Sequence, residues 1–162
     1  MQLEEMVILA KIGMENIIQS WSCFLPGQAG KKDRFFDLIQ SEISKRKNGL
    51  RSDTENIGAL FGRKRTFLTV PYGDNNNWRA YFGFEDMGTD LVVTWDLYSK
   101  NPMKGGERIG LFTSDFIEIN TIKTFASVTH DCAVMAVETL FEEANLDKKN
   151  INRNSSGALG PI

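Results

Sequence analysis

The sequence predicts a single α+β domain in which two N-terminal helices and a long C-terminal helix pack around a four-stranded antiparallel meander. Three observations predict it. Apolar residues recur at steps of three and four near both ends of the chain, the spacing of a helical stripe. Between residues 64 and 98 the period falls to two, in runs rich in β-branched and aromatic residues parted by Asn, Asp and Gly. The length, 162 residues, is that of one ordinary domain and suffices to bury roughly two-thirds of the unfolded surface without disulfide or metal support. The domain is expected over residues 1–146, with 147–162 a flexible polar tail rich in Asn, Ser and Gly.

Leu3, Val7, Ala10, Met14, Ile17 and Trp21 alternate steps of four and three, which predicts an amphipathic helix over 3–21, stopped by Pro26-Gly27. A second helix is expected from Asp33, as its N-cap, through Phe35, Phe36, Ile39 and Ile43 to Asn48-Gly49. Lys45, Arg46 and Lys47 fall in its last turn, where the helix dipole favours cations. Residues 50–62 carry conflicting signals: Ser52-x-x-Glu55 opens a helix, whereas Gly58 and Gly62 favour a loop. That segment stays open. Strands are expected over 64–72, 78–85 and 90–98, joined by hairpin turns at 73–77 and 86–89, with a fourth strand at 107–112. Asp115 and Glu118 form a capping pattern ahead of a stripe from Phe116 through Ile122, Ala126, Ala133, Val137 and Leu140 to Ala144, predicting a long helix laid on the Trp78/Leu91 sheet face. β-Branched residues between Ile117 and Thr129 compete with that helix.

Cys23 and Cys132 lie far apart without CxxC spacing, the usage of a reduced intracellular protein, so a cytoplasmic address is expected. The first residues, Met1-Gln-Leu-Glu-Glu, are acidic where a targeting presequence is basic, and no apolar run reaches the length of a membrane span. Net charge is −2 but divided: residues 31–65 hold ten Lys/Arg against five Asp/Glu, and residues 85–147 hold four against twelve. Such a division is a clue to partners.

Motifs for chemistry are weak. Leu25-Pro26-Gly27-Gln28-Ala29-Gly30-Lys31-Lys32 fails as a phosphate loop, because Leu25 holds the first glycine position, Lys32 replaces the hydroxyl, and no strand is expected before it. The single histidine, His130, sits among alanines on the long helix without a companion motif, so neither it nor Cys132 is expected to be catalytic. Three Cys/His residues cannot build a four-ligand zinc site, and Glu85, Asp86, Asp90 and Asp96 lack the register of a calcium loop; no metal or cofactor is expected. Arg79-Ala80-Tyr81-Phe82-Gly83-Phe84 approaches the aromatic RNA-binding strand pattern, which Ala80, Phe82 and Gly83 break.

Alternation gives the sheet two unlike faces. Trp78, Ala80, Phe82, Phe84, Leu91, Val93, Trp95 and Leu97 form a core face. The other mixes aromatics, arginines and polar groups: Arg65, Phe67, Arg79, Tyr81, Thr94, Asp96 and Tyr98 are the candidate partner-binding residues, in the composition of protein interfaces. The function expected is therefore a non-catalytic interaction module, an adaptor or assembly subunit that binds itself or a protein partner through this face. Two alternatives stand beside it. One is a nucleic-acid-binding accessory protein using basic segment 31–65 and Arg79; the other is a small-ligand or enzyme domain with a pocket lined by Trp78, Trp95 and His130.

Overall fold

The computed structural model describes residues 17–46, 49–57, 65–73, 77–100 and 116–157, the side chains of 116–119, 150 and 152 excepted. In chain order the elements are β1 (Ile17–Leu25), α1 (Lys32–Lys45), β2 (Asp53–Ile57), β3 (Arg65–Pro71), β4 (Trp78–Met87), β5 (Asp90–Ser99), α2 (Phe116–Glu143), a short 3₁₀ turn (Lys148–Asn150) and β6 (Asn152–Gly157). The strands form one antiparallel sheet in the order β2-β3-β4-β5-β1-β6. Both helices pack on one of its faces: α1 sets Phe35 and Phe36 against Phe84, and α2 sets Phe125 against Tyr72 and His130 against Trp95.

The α+β class and the C-terminal helix are as the sequence predicts, but among the described residues the sheet has six strands rather than the four expected. The first correction concerns 17–21, expected to end a helix and found at the start of β1. Ile17 and Trp21 are four apart, and four is one helical turn but also two strand repeats, so this pair cannot distinguish the two. Residues 20–25 do distinguish them: Trp21, Cys23 and Leu25 point inward while Ser20, Ser22 and Phe24 point out, a period of two. The residues before Ile17, and the strand expected at 107–112, lie outside the described residues.

α1 keeps its expected core side, burying Phe35, Leu38, Ile39 and Ile43. Its N-cap position is Lys31 rather than Asp33, which instead lies in the first turn, where the dipole favours an anion. The open segment resolves into β2, whose Asp53, Glu55 and Asn56 are poor strand formers; pairing with β3 supplies the order, and Asn56 accepts a 2.8 Å hydrogen bond from Thr66. The last difference is at 152–157, inside the segment expected to be a tail. Its backbone is hydrogen-bonded along β1 from Gln19↔Gly157 to Phe24↔Asn152, so an ordered edge strand replaces part of that tail.

The glycine-rich loop between β1 and α1 is clasped to the β4–β5 turn. Gly27 and Gly30, at φ 68° and 85°, turn their N–H groups outward, and these donate to Asp90 and Asp86 at 3.0 Å each. Ala29 N–H donates to the Thr89 carbonyl at 3.0 Å. A strand does precede this loop, contrary to expectation, yet the anions its amides hold are carboxylates of the same chain.

Candidate interface on the outer sheet face

The seven candidate residues all fall on the face opposite the helices, as alternation predicts, because pairing aligns Thr69 with Tyr81, Tyr81 with Asp96, and Arg79 with Tyr98. Phe67, Tyr81 and Tyr98 form an edge-to-face ladder across β3, β4 and β5, with centroids 6.1 and 5.8 Å apart. Two of its three rungs are already covered: Tyr81 is 8% exposed and Tyr98 7%. Burial raises the Tyr81 phenol above its ordinary pKa, against the opposing pull of the Arg79 cation.

Charges frame the ladder. Arg79 pairs with Glu55 of β2, which also accepts a 3.4 Å hydrogen bond from the Tyr81 hydroxyl, and Arg65 pairs with Glu85 at 3.0 Å. Glu55 is not legible as a site residue, since its strand has no pattern of its own. Asp96 is half-buried; burial raises its carboxyl pKa, and the Ser20 hydroxyl, donating at 2.5 Å, opposes that rise. Toward β1 and β6 the face becomes neutral and polar, with Ser20, Ser22, Asn154 and Ser156 in register with Asp96 and Thr94 through β1.

Gly83 sits where Phe67 of β3 and Thr94 of β5 converge. A Cβ there would meet the Thr94 hydroxyl at 2.5 Å and the Phe67 ring at 3.0 Å, so only glycine lets both side chains close over the strand. Beside this point the face dips into a hollow of about 320 Å³, lined by Arg65, Phe67, Glu85, Met87, Val92 and Thr94 among others. Met87, 61% exposed, is the most exposed of the large apolar side chains among the described residues. The arrangement offers shape, apolar surface and paired charge rather than a nucleophile with a base.

The alternatives meet a different geometry. Trp78, Trp95 and His130 are each 7% exposed or less and belong to the packed core. His130 stands between Trp21 and Trp95, its ring 5.2 and 5.3 Å from theirs, and burial lowers its pKa. Burial also pushes the Cys23 thiol up to about 11 and raises that of Cys132, which keeps both protonated. In the basic segment, Lys32 pairs with Asp86 at 3.7 Å, Arg34 with Glu143, and Lys45 with Glu42 at 2.6 Å. Among the described residues no group of three or more His, Cys, Asp or Glu is placed to hold a metal, and no helix is long and apolar enough to cross a membrane.

Comparison with known proteins finds no matching family model, no matching curated protein and no matching solved structure.

Proposed function

We propose that the protein is a non-catalytic interaction module whose outer sheet face binds a second copy of the same chain. The observation that carries this reading is the hollow beside Gly83 with the exposed Met87 at its rim, a knob and a hole on one patch. Under a two-fold axis each copy offers its knob to the other's hole, as an isologous contact requires. The neighbouring Arg65–Glu85 pair carries both signs and can exchange partners across the same axis. Six strands spaced about 4.8 Å apart give a face on the order of 700 Å², close to one side of a standard interface. A cytoplasmic address belongs to the same proposal and is supported by two free, buried cysteines.

Sedimentation velocity from about 10 nM to 200 µM tests it, since interfaces of this size range from micromolar to much tighter affinities. The expected outcome is a monomer–dimer equilibrium that Met87→Glu and Val92→Arg each shift at least about tenfold toward monomer, with melting temperature unchanged. A wild-type chain that stays monomeric throughout, or variants that dimerise as the wild type does, overturns the proposal.

A further inference from the structure

β6 is held to the sheet mainly by its backbone. It pairs with β1 from Gln19↔Gly157 to Phe24↔Asn152, while its residues 153–157 stay exposed. Alternation sets Arg153, Ser155 and Gly157 on the helix side, in register with Cys23, Trp21 and Gln19 of β1. Each of the three makes a specific fit there. The Arg153 guanidinium pairs with Glu138 of α2 at 3.1 Å, and the Ser155 hydroxyl accepts a 3.5 Å hydrogen bond from the Gln19 amide. Gly157, at φ 149°, lies so close to β1 that a Cβ would meet the Gln19 Cα and the Ile18 carbonyl oxygen at 2.6 Å each. The edge of β1 and the flank of α2 thus form a groove for an extended strand that carries a basic residue, a small hydroxyl and a glycine at alternate positions.

The connection into β6 has the parts of a hinge. Past α2 the chain turns at Asn145, the one non-glycine residue with positive φ among the described residues, and Leu146 N–H donates back to the Phe141 carbonyl at 2.9 Å. Lys148 reaches Glu142 at 2.5 Å, an exposed pair that contributes little. Straightened, residues 144–151 span roughly 26 Å at about 3.3 Å per residue, enough to carry β6 onto a neighbouring molecule.

We propose that β6 is an exchangeable strand, and that the groove takes the β6 of a second copy of the chain while lending its own in return. The occupant follows from the fit: the strand whose Arg, Ser and Gly match the groove is the chain's own, so a second copy carries it. Every contact of β6 is then remade between copies, and only the connection 144–151 changes shape. Within one chain the tether holds β6 at a local concentration on the order of millimolar, so the closed form prevails in dilute solution. Weakening the fit in cis while restoring it in trans reverses that preference.

Reciprocal charge reversal in full chains tests the exchange. In Arg153→Glu, and equally in Glu138→Arg, like charges face each other within the chain; when the two variants are mixed, exchange restores an opposite pair in both grooves. Both also carry Met87→Glu, which removes the outer face from the reaction, so the outcome is independent of self-association through that face. The mixture is warmed to just below its melting midpoint, cooled, and followed by sedimentation velocity and native mass spectrometry at about 100 µM of each chain, below the local concentration that favours closure. The expected result is a heterodimer with one copy of each variant, at least about tenfold tighter than either variant's association with itself. The double variant with Glu138→Arg and Arg153→Glu in one chain restores the pair internally and stays monomeric. Gly157→Val in both partners abolishes the heterodimer, and the milder Gly157→Ala weakens it, while melting curves show the chains folded. A mixture that stays monomeric overturns the proposal. A heterodimer unaffected by either glycine substitution, or a double variant that dimerises as the mixture does, overturns it as well, because the association then does not run through β6.

Discussion

His130 is the residue whose environment is hardest to reconcile with its chemistry. It is 4% exposed, and neither ring nitrogen has a hydrogen-bond partner among the described residues. Burial holds its pKa below the ordinary imidazole value; Asp131, its chain neighbour, opposes that and Arg153 of β6 adds to it. The rings packed on it are uncharged, Trp21 from β1 and Trp95 from β5, the indole of Trp95 being held by Thr129. Because the folded pKa is depressed, the unfolded chain binds the proton more readily. The neutral imidazole therefore leaves stability intact above about pH 6.5, and stability falls as pH drops below that toward the folded value. Urea unfolding between about pH 7.5 and 5.5 should show this loss before most carboxylates titrate. His130→Phe, which keeps a ring between the two indoles and removes both orphan nitrogens, should flatten the slope and leave stability at neutral pH equal or higher. An unchanged slope in that variant would assign the pH dependence elsewhere. The place of His130 on a helix among alanines is legible in the sequence; its indole neighbours come from strands more than thirty positions away and have no local signal.

At the scale of elements, legibility tracks how much of each segment's order is written in its own residues. β4, β5 and α1 carry apolar alternation or a helical stripe and lie within a few residues of where the pattern puts them. β2 and β6 carry neither, since DTENI and NRNSSG are ordered by the strands beside them. The outer-face residues are legible because alternation alone assigns a face; Glu55, Gly83 and Met87, which shape that face, depend on pairing and on a turn. For β6 this has a testable consequence. Residues 153–157 are exposed and bury little, while their backbone covers the edge of β1 and Arg153 reaches Glu138 of α2 at 3.1 Å. Deleting 152–162 should cost on the order of 1–2 kcal/mol, from lost ladder hydrogen bonds rather than lost core. It should also increase light scattering on heating, because the uncovered β1 is an unpaired edge carrying Trp21, Cys23 and Leu25. Unchanged melting without added scattering would mean that β6 does not protect that edge.

Across the whole molecule the two charged halves of the chain find each other. Arg34 of α1 grips Glu143 of α2 through both carboxylate oxygens, Lys32 meets Asp86, and Arg65 meets Glu85, each pair joining segment 31–65 to segment 85–147. Exposed pairs of this kind contribute little to stability one by one. Their effect is on the field: a cation already facing a carboxylate a few ångströms away releases few counterions when a phosphate approaches, and the counterion gain is what drives polyanion binding. An excess of positive charge in sequence thus need not become a positive surface. Lys47, Arg63 and Lys64 lie outside the described residues. Fluorescence anisotropy with a labelled single-stranded oligonucleotide should show no saturable binding at about 150 mM salt up to roughly 10 µM protein. Glu85→Lys combined with Glu143→Lys removes the partners of Arg65 and Arg34 and should create binding whose log affinity falls with log salt, by about 0.7 for each phosphate contacted. Submicromolar binding by the wild-type chain under those conditions would show that the internal pairs do not neutralise segment 31–65, and would favour nucleic acid over a second copy of the chain as its partner.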